Sequence, residues 1–259
     1  MARRDTYRPF DESLSRDTSA VAAYAAKKGW SIGRRNLLVE GTLDVAYCEL
    51  ASSLFAKRHG LHLVDDQFRV VAAGLFDDGG VGGVVRELIT LHGMAVSDQA
   101  LPKPARVRML PVFDDDHAGR RCFGKLTDPD FPFRPFHDVF LLKRAYPSLK
   151  LGSSGYRDAV KDLNREWSDL DCEIEDLLDR ELLDGFCDEC PGALKIKPIH
   201  RGIAHHYDFN GGCKGELLKY SRQLADLPEV VGIVRMLQHF RGLFDLPLGP
   251  TLRPDGQPV

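Results

Sequence analysis

No run of roughly 20 apolar residues occurs in the 259-residue sequence, so no segment reads as a membrane-spanning helix. The opening Met1-Ala2-Arg3-Arg4-Asp5 is charged and lacks the apolar centre of a secretion signal, which sets the expectation of a cytoplasmic protein that makes no membrane contact. Cysteine is sparse: six scattered residues do not make a disulfide framework, and free thiols are expected. Neither sign of charge is in large excess, with 35 Lys+Arg against 38 Asp+Glu and a net charge of -3. That balance argues against a strongly cationic, histone-like binder and leaves room for a local basic face. The glycine-rich stretch Gly79-Gly80-Val81-Gly82-Gly83 lacks both the Gly-Lys-Ser/Thr ending of a nucleotide P-loop and the spacing of a dinucleotide fingerprint, so no ATPase is expected in this chain.

What is present is ordinary globular material, 43% hydrophobic and 28% charged. Its pattern is regular between residues 37 and 142. A short apolar run at 37–39 precedes helical spacing over 44–59. A second run at 68–74 leads through the glycine-rich loop into a helix over 84–91. After a proline-containing connection at 99–105, a third strand covers 106–113, and a shorter fourth falls in 137–142. Alternation of this kind predicts an α/β fold with parallel strands and right-handed crossovers. A basic, polar extension over 1–35 holds one alanine-rich helix at 20–28, and the core domain spans 36–150. The remainder, 151–259, reads as mainly helical. It holds a polar helix at 156–167, an acidic amphipathic segment at 170–183 stopped by Gly185, helices over 214–224 and 229–240 divided by Pro228, and a loose tail after Pro247.

Two acidic clusters stand where predicted strands run out: Val39-Glu40-Gly41-Thr42-Leu43-Asp44, and Phe113-Asp114-Asp115-Asp116-His117-Ala118-Gly119-Arg120. In an open parallel sheet, ligands collect beyond the carboxyl ends of the strands, so the two clusters are expected to meet despite a gap of 74 residues between Glu40 and Asp114. Capping of the following helices explains one acid per turn; it does not explain three in a row. Carboxylates forced together repel unless a hard cation neutralises them, and an all-oxygen set of this kind suits Mg²⁺ or Mn²⁺.

The pair of motifs, Val-Glu-Gly-x-x-Asp followed by Phe-Asp-x-Asp-x-Ala-Gly-Arg, resembles the TOPRIM domain, and among its families the overcoming-lysogenization-defect (OLD) nucleases. The resemblance implies a compact, Rossmann-like parallel sheet flanked by helices, with catalytic Glu40, Asp114 and Asp116. Asp44 matches a second acid near the glutamate, Glu175 is favoured over Glu173 as an additional metal ligand, and Lys214 as a late catalytic lysine. It further implies a metal-dependent endonuclease using two ions about 4 Å apart, DNA before RNA as substrate, and a separate ATPase as partner in anti-phage defence. A non-cutting nucleic-acid-binding or assembly module of the repair type is the alternative.

Five smaller readings complete the sequence. Gly41 fits a turn needing positive φ or close backbone approach, Gly119 fits tight packing after the aspartates, Asp115 reads as a spacer, and Arg120 or Arg121 as a phosphate contact. Cys187-x-x-Cys190 offers two zinc ligands, but His200, His205, His206 and Cys213 follow at irregular spacing, so structural zinc is only weakly indicated.

Overall fold

Strand β1 (Arg35–Val39) lies inside the sheet of the computed structural model, between β2 (Phe68–Ala72) and β3 (Arg108–Phe113), with the two-residue β4 (Phe140–Leu141) beyond β3. The structure describes residues 19–74, 79–102, 106–148, 153–253 and 255–259. The polar sequence before residue 19, Asp77 and Asp78 of the glycine-rich loop, and the end of the 99–105 connection lie outside these described residues.

All strand pairings in this sheet are parallel, and Leu38 sits level with Val71 on one side and Pro111 on the other. Asn36 to Val39 are buried, as expected of a parallel strand covered on both faces. The order β2-β1-β3-β4 means that the chain leaves β1 for one side, then returns past it to build the other. That reversal opens a crevice beyond the carboxyl ends of β1 and β3, where open α/β sheets place their ligands. Glu40 and Asp114 are the first residues after those two strands.

Helices cover both faces. Helix α2 (Thr42–His59) packs against α7 (Gly211–Leu224) and α8 (Val231–Leu243), while α3 (Gly80–Ser97) packs against α1 (Ala20–Lys27), β3 and α4 (His117–Leu126). Helix α2 ends at Gly60, whose φ of 70° is the left-handed stop that glycine supplies without a Cβ clash. Helix α1 is tied down by buried acids of the opposing segment: Ala20 N donates to Asp98 Oδ1 at 2.7 Å, and Lys28 Nζ lies 2.9 Å from Glu87 Oε1. Leu37, Phe55, Phe113, Phe140, Leu183, Phe209 and Phe240 belong to one continuous core, so residues beyond 150 share the interior of the sheet domain.

The C-terminal half departs from its sequence pattern in four places. The acidic 170–183 segment is not one helix: a 3-10 turn (Ile174–Leu177) is followed by extended Leu178, and α6 (Arg180–Glu189) starts afresh under the Asp179 side chain, which accepts from Glu181 N at 2.8 Å. Gly185 does not stop a helix but lies inside α6, where a Cβ would fall 2.8 Å from Tyr220 Oη, the far end of that side chain. A hairpin of β5 (Ile199–Arg201) and β6 (Ala204–His206), turning at Gly202 with φ 58°, occupies a stretch that showed no strand alternation. The tail after Pro247 is held rather than loose. Gln238 Nε2 donates to Leu248 O and Pro250 O at 2.8 Å each, and Arg235 and Arg241 donate to Leu252 O and Pro247 O.

His239 on α8 stacks on Tyr146 with ring centroids 4.3 Å apart, and its Nε2 lies 2.6 Å from Tyr156 Oη. Burial pushes its pKa down from 6.5 to about 3. The neutral ring therefore contributes its full stabilisation above pH 6.5, and that contribution is lost as the pH falls from there toward 3. Each pH unit within that window costs at most about 1.4 kcal/mol from this one group. In urea melts recorded across that range, His239→Phe is expected to lose less stability with acidification than the wild type; equal slopes would remove His239 as the sensor.

Candidate functional site

Glu40 and Asp114 meet across the crevice: the Asp114 N–H donates to Glu40 Oε1 at 3.1 Å over 74 residues of sequence. Strand adjacency produces this contact, because β1 and β3 are neighbours and end within one residue of the same level. Asp44 lies in the first turn of α2, where its Oδ2 accepts from Gly41 N at 2.7 Å. Asp116 caps α4, accepting from Gly119 N at 2.6 Å. Each of these two carboxylates thus spends one oxygen on a helix start and keeps a second.

The acids from beyond residue 150 arrive by a route absent from the motif. Asp115 and Cys172 exchange backbone hydrogen bonds, Asp115 N to Cys172 O at 2.9 Å and Cys172 N to Asp115 O at 3.1 Å. That bridge lays the 172–177 segment beside the aspartate cluster. Glu173 and Glu175 then face Lys214 from the first turn of α7, with Lys214 Nζ 2.7 Å from Glu173 Oε2 and 3.6 Å from Glu175 Oε2. Glu173, passed over in favour of Glu175, is the closer partner. Glu175 is the more buried of the two, its side chain 3% exposed against 20% for Glu173.

Charge is packed tightly here. Burial pushes the Glu40 carboxyl up to about 7, opposed by the Asp114 N–H and reinforced by Asp44, Asp116 and Glu173. Asp44 also rises to about 7, first from burial and then from Glu175, with the Gly41 N–H and Lys214 opposing. Asp114 stands well above the ordinary carboxylate range, through burial and then the charges of Asp44, Glu40, Glu175 and Glu173. Burial raises Glu175 as well, against the pull of Lys214. A small cavity with room of about 20 Å³, walled by Leu37, Cys48, Ile174 and Met236 with Asp44 and Asp114, accounts for part of this desolvation. Burial would lower the Lys214 ammonium, yet Glu175 and Glu173 raise it instead. Among the described residues Lys214 is the one cation set against these acids, and the uncompensated excess is negative.

The donor set fits a hard divalent ion, since all six acids offer oxygen and the local charge calls for a cation. As the side chains stand, no three Asp, Glu, His or Cys among the described residues are arranged to hold one metal, so binding requires rotation of carboxylates on an already assembled backbone.

Several neighbours have other duties than the motif suggested. Asp115 is no spacer: it is 3% exposed, Lys143 Nζ lies 2.5 Å from its Oδ2, and Arg120 Nη1 donates to its backbone oxygen at 2.6 Å. Arg120 also pairs with Asp171, which leaves it no free fork for a phosphate, whereas Arg121 is exposed. Lys143 and Asp115 were missed because an ion pair over 28 residues leaves no local signal. Gly41 has an extended backbone, φ -136°, and a Cβ there would make only ordinary contacts, with Asp44 Oδ2 at 3.6 Å and Leu43 N at 4.0 Å, so neither reason given for a glycine holds. Gly119 is needed, since a Cβ would stand 1.9 Å from the Asp114 carbonyl oxygen. Gly119→Ala must displace the Asp114 backbone and is expected to cost about 1–3 kcal/mol, read as a lower midpoint of thermal unfolding. Unchanged stability would mean that the 113–119 turn is not so tightly closed.

The cysteine-histidine group is divided. His206 Nδ1 lies 2.8 Å from Asp176 Oδ2 and His205 Nε2 lies 3.1 Å from Leu178 O, so both rings are engaged with the 174–178 segment. Cys187 and Cys190 are free thiols at the end of α6. Among the described residues no helix is long and apolar enough to cross a membrane. Compared with protein-family models, curated proteins and solved structures, the chain matches none.

Proposed function

We propose that this chain is a Mg²⁺- or Mn²⁺-dependent phosphodiesterase cleaving nucleic acid, an endonuclease of the TOPRIM type closest to the OLD nucleases. The observation that carries the reading is the contact between Glu40 and the Asp114 backbone at the reversal point of a parallel sheet, which brings the two motif halves together. The desolvated acids around it give that contact a chemical purpose. Excess negative charge raises carboxyl pKa values and is costly to maintain, and such perturbed clusters in clefts are the usual mark of functional sites.

In this reading Glu40, Asp44, Asp114 and Asp116 hold the ions, with Glu175 and Glu173 completing the set. Divalent ions in such a site neutralise charge on the nonbridging phosphate oxygens and activate water for in-line attack. Glu40 fixes the Asp114 turn through the backbone hydrogen bond, so that both acids stay aimed at the crevice. Lys214, held by Glu173 and Glu175 in the resting protein, is positioned to place its ammonium against charge developing on the departing oxygen. DNA is the first substrate to test and RNA the second, since carboxylates and lysine read phosphates rather than bases. A separately encoded ATPase is the partner this reading implies.

The test is nicking of supercoiled plasmid with Mn²⁺ or Mg²⁺, against the same reaction in chelator, and repeated with single-stranded DNA and RNA. Metal-dependent scission by the purified chain, abolished by chelation, is the expected result. Nucleic-acid binding without scission under any metal or partner condition would replace the enzyme with a non-cutting binding module.

A further inference from the structure

A cavity of about 660 Å³ lies between the segment after β4, helix α8 and the C-terminal tail. Its size is that of a small-molecule site. Lys143, Arg144, Tyr146, Arg235, His239 and Arg253 line it, and no Asp or Glu is among its described lining residues. In a chain whose overall charge is -3, such a one-signed lining is a local departure from the average.

The cations differ in how fully they are engaged. Lys143 is paired with Asp115. Arg144 is nine-tenths buried, with its side chain 10% exposed. Its Nη2 donates to Asp171 O and His205 O at 2.6 Å each and lies 3.8 Å from the Asp176 carboxylate, while its buried Nε has no hydrogen-bond partner. A buried guanidinium N–H without an acceptor is costly, so Arg144 lines the cavity as an incompletely satisfied cation. Arg235 bonds only a backbone oxygen, Leu252 O at 2.7 Å, and has no carboxylate partner among the described residues. Arg253 is exposed, and no ion pair to it occurs among the described residues. Planar guanidinium groups with spare donors match phosphate geometry better than ammonium groups do.

We infer that this cavity binds the phosphate group of a nucleotide, held by Arg144, Arg235 and Arg253. The phosphate has two sources, a free nucleotide or the backbone of a nucleic-acid strand. The strand source rests on the nuclease reading, in which one strand must reach both this cavity and the acids; buried Met236 lines both this cavity and the small one beside Asp44 and Asp114. The free-nucleotide source stands without that reading.

Arg253→Glu separates the outcomes, since its side chain is exposed and reversing it leaves the packed interior intact. Exposed Lys57→Glu on α2 serves as the control for charge alone. Binding of pyrophosphate, of AMP and of a 5′-phosphorylated oligothymidylate is measured by calorimetry in chelator, so that the acidic site takes no part through metal. Arg253→Glu is expected to weaken binding about tenfold or more, with Lys57→Glu unchanged and both variants melting like the wild type. Binding of AMP and pyrophosphate identifies a free nucleotide; binding of the oligonucleotide alone identifies the strand. No binding of any of the three, or equal binding by wild type and Arg253→Glu, overturns the inference. Metal-dependent scission by a wild type that binds none of the three probes would leave the nuclease reading in place while this site fails.

Discussion

Glu40→Gln and Asp114→Asn are each expected to lose about 100-fold or more of metal-dependent scission, since even groups behind the ligands cost 10–100-fold when removed. Both changes keep size and hydrogen-bonding shape; the amide oxygen introduced at position 40 can still accept the Asp114 N–H that now binds Glu40 Oε1 at 3.1 Å. The same variants are expected to be at least as stable as the wild type in the absence of metal. Burial and neighbouring acids raise the Glu40 carboxyl from 4.5 to about 7, so its contribution to stability is complete below pH 4.5 and is lost as the pH rises through about 7. At pH 8 an ionised Glu40 works against folding, and a neutral amide does not. Lower activity joined to an equal or higher melting point is the signature of a site built for a cation. Lower activity joined to a lower melting point would mean that Glu40 and Asp114 serve the fold.

Asp115→Ala is expected to give the largest loss of stability, about 3–5 kcal/mol, because it strands the Lys143 ammonium in a poorly solvated position. The two side chains are 4% and 16% exposed and their charged atoms lie 2.5 Å apart. For a chain of this size the melting point should fall by about 10 °C. The double variant Asp115→Leu with Lys143→Met, which removes both charges, is expected to recover part of that loss. If the single variant melts within a degree or two of the wild type, Asp115 is the spacer that the sequence suggested. Scission should fall further than stability, since the Asp115 turn carries the bridge to Cys172 and so places Glu173 and Glu175.

The parallel sheet was legible because each strand is short, apolar and followed by a helix, and residues 37–39 and 68–72 carried that signal undiluted. Convergence of Glu40 on Asp114 was legible for the same reason: it follows from strand adjacency and needs no knowledge of side-chain packing. Three kinds of feature were not legible. The break at Leu178 is invisible to hydrophobic spacing, because buried Ile174, Leu177 and Leu178 satisfy a helical period while the chain makes one 3-10 turn and then extends at Leu178. Lys143 pairs with Asp115 over 28 residues and Arg120 with Asp171 over 51, and a run of three aspartates does not reveal which one turns inward. The tail resembled loose coil by composition, yet Arg235, Gln238 and Arg241 on α8 satisfy its carbonyl groups one after another.

Manganese binding followed by electron paramagnetic resonance tests the central claim most directly, since free Mn²⁺ gives a signal that bound Mn²⁺ loses. The wild type is expected to remove Mn²⁺ from the free pool with up to two ions per chain, and Glu40→Gln and Asp114→Asn to leave most of it free. Wild-type protein that leaves the Mn²⁺ signal untouched, or variants that quench it equally well, would contradict a cation site at the meeting point of β1 and β3.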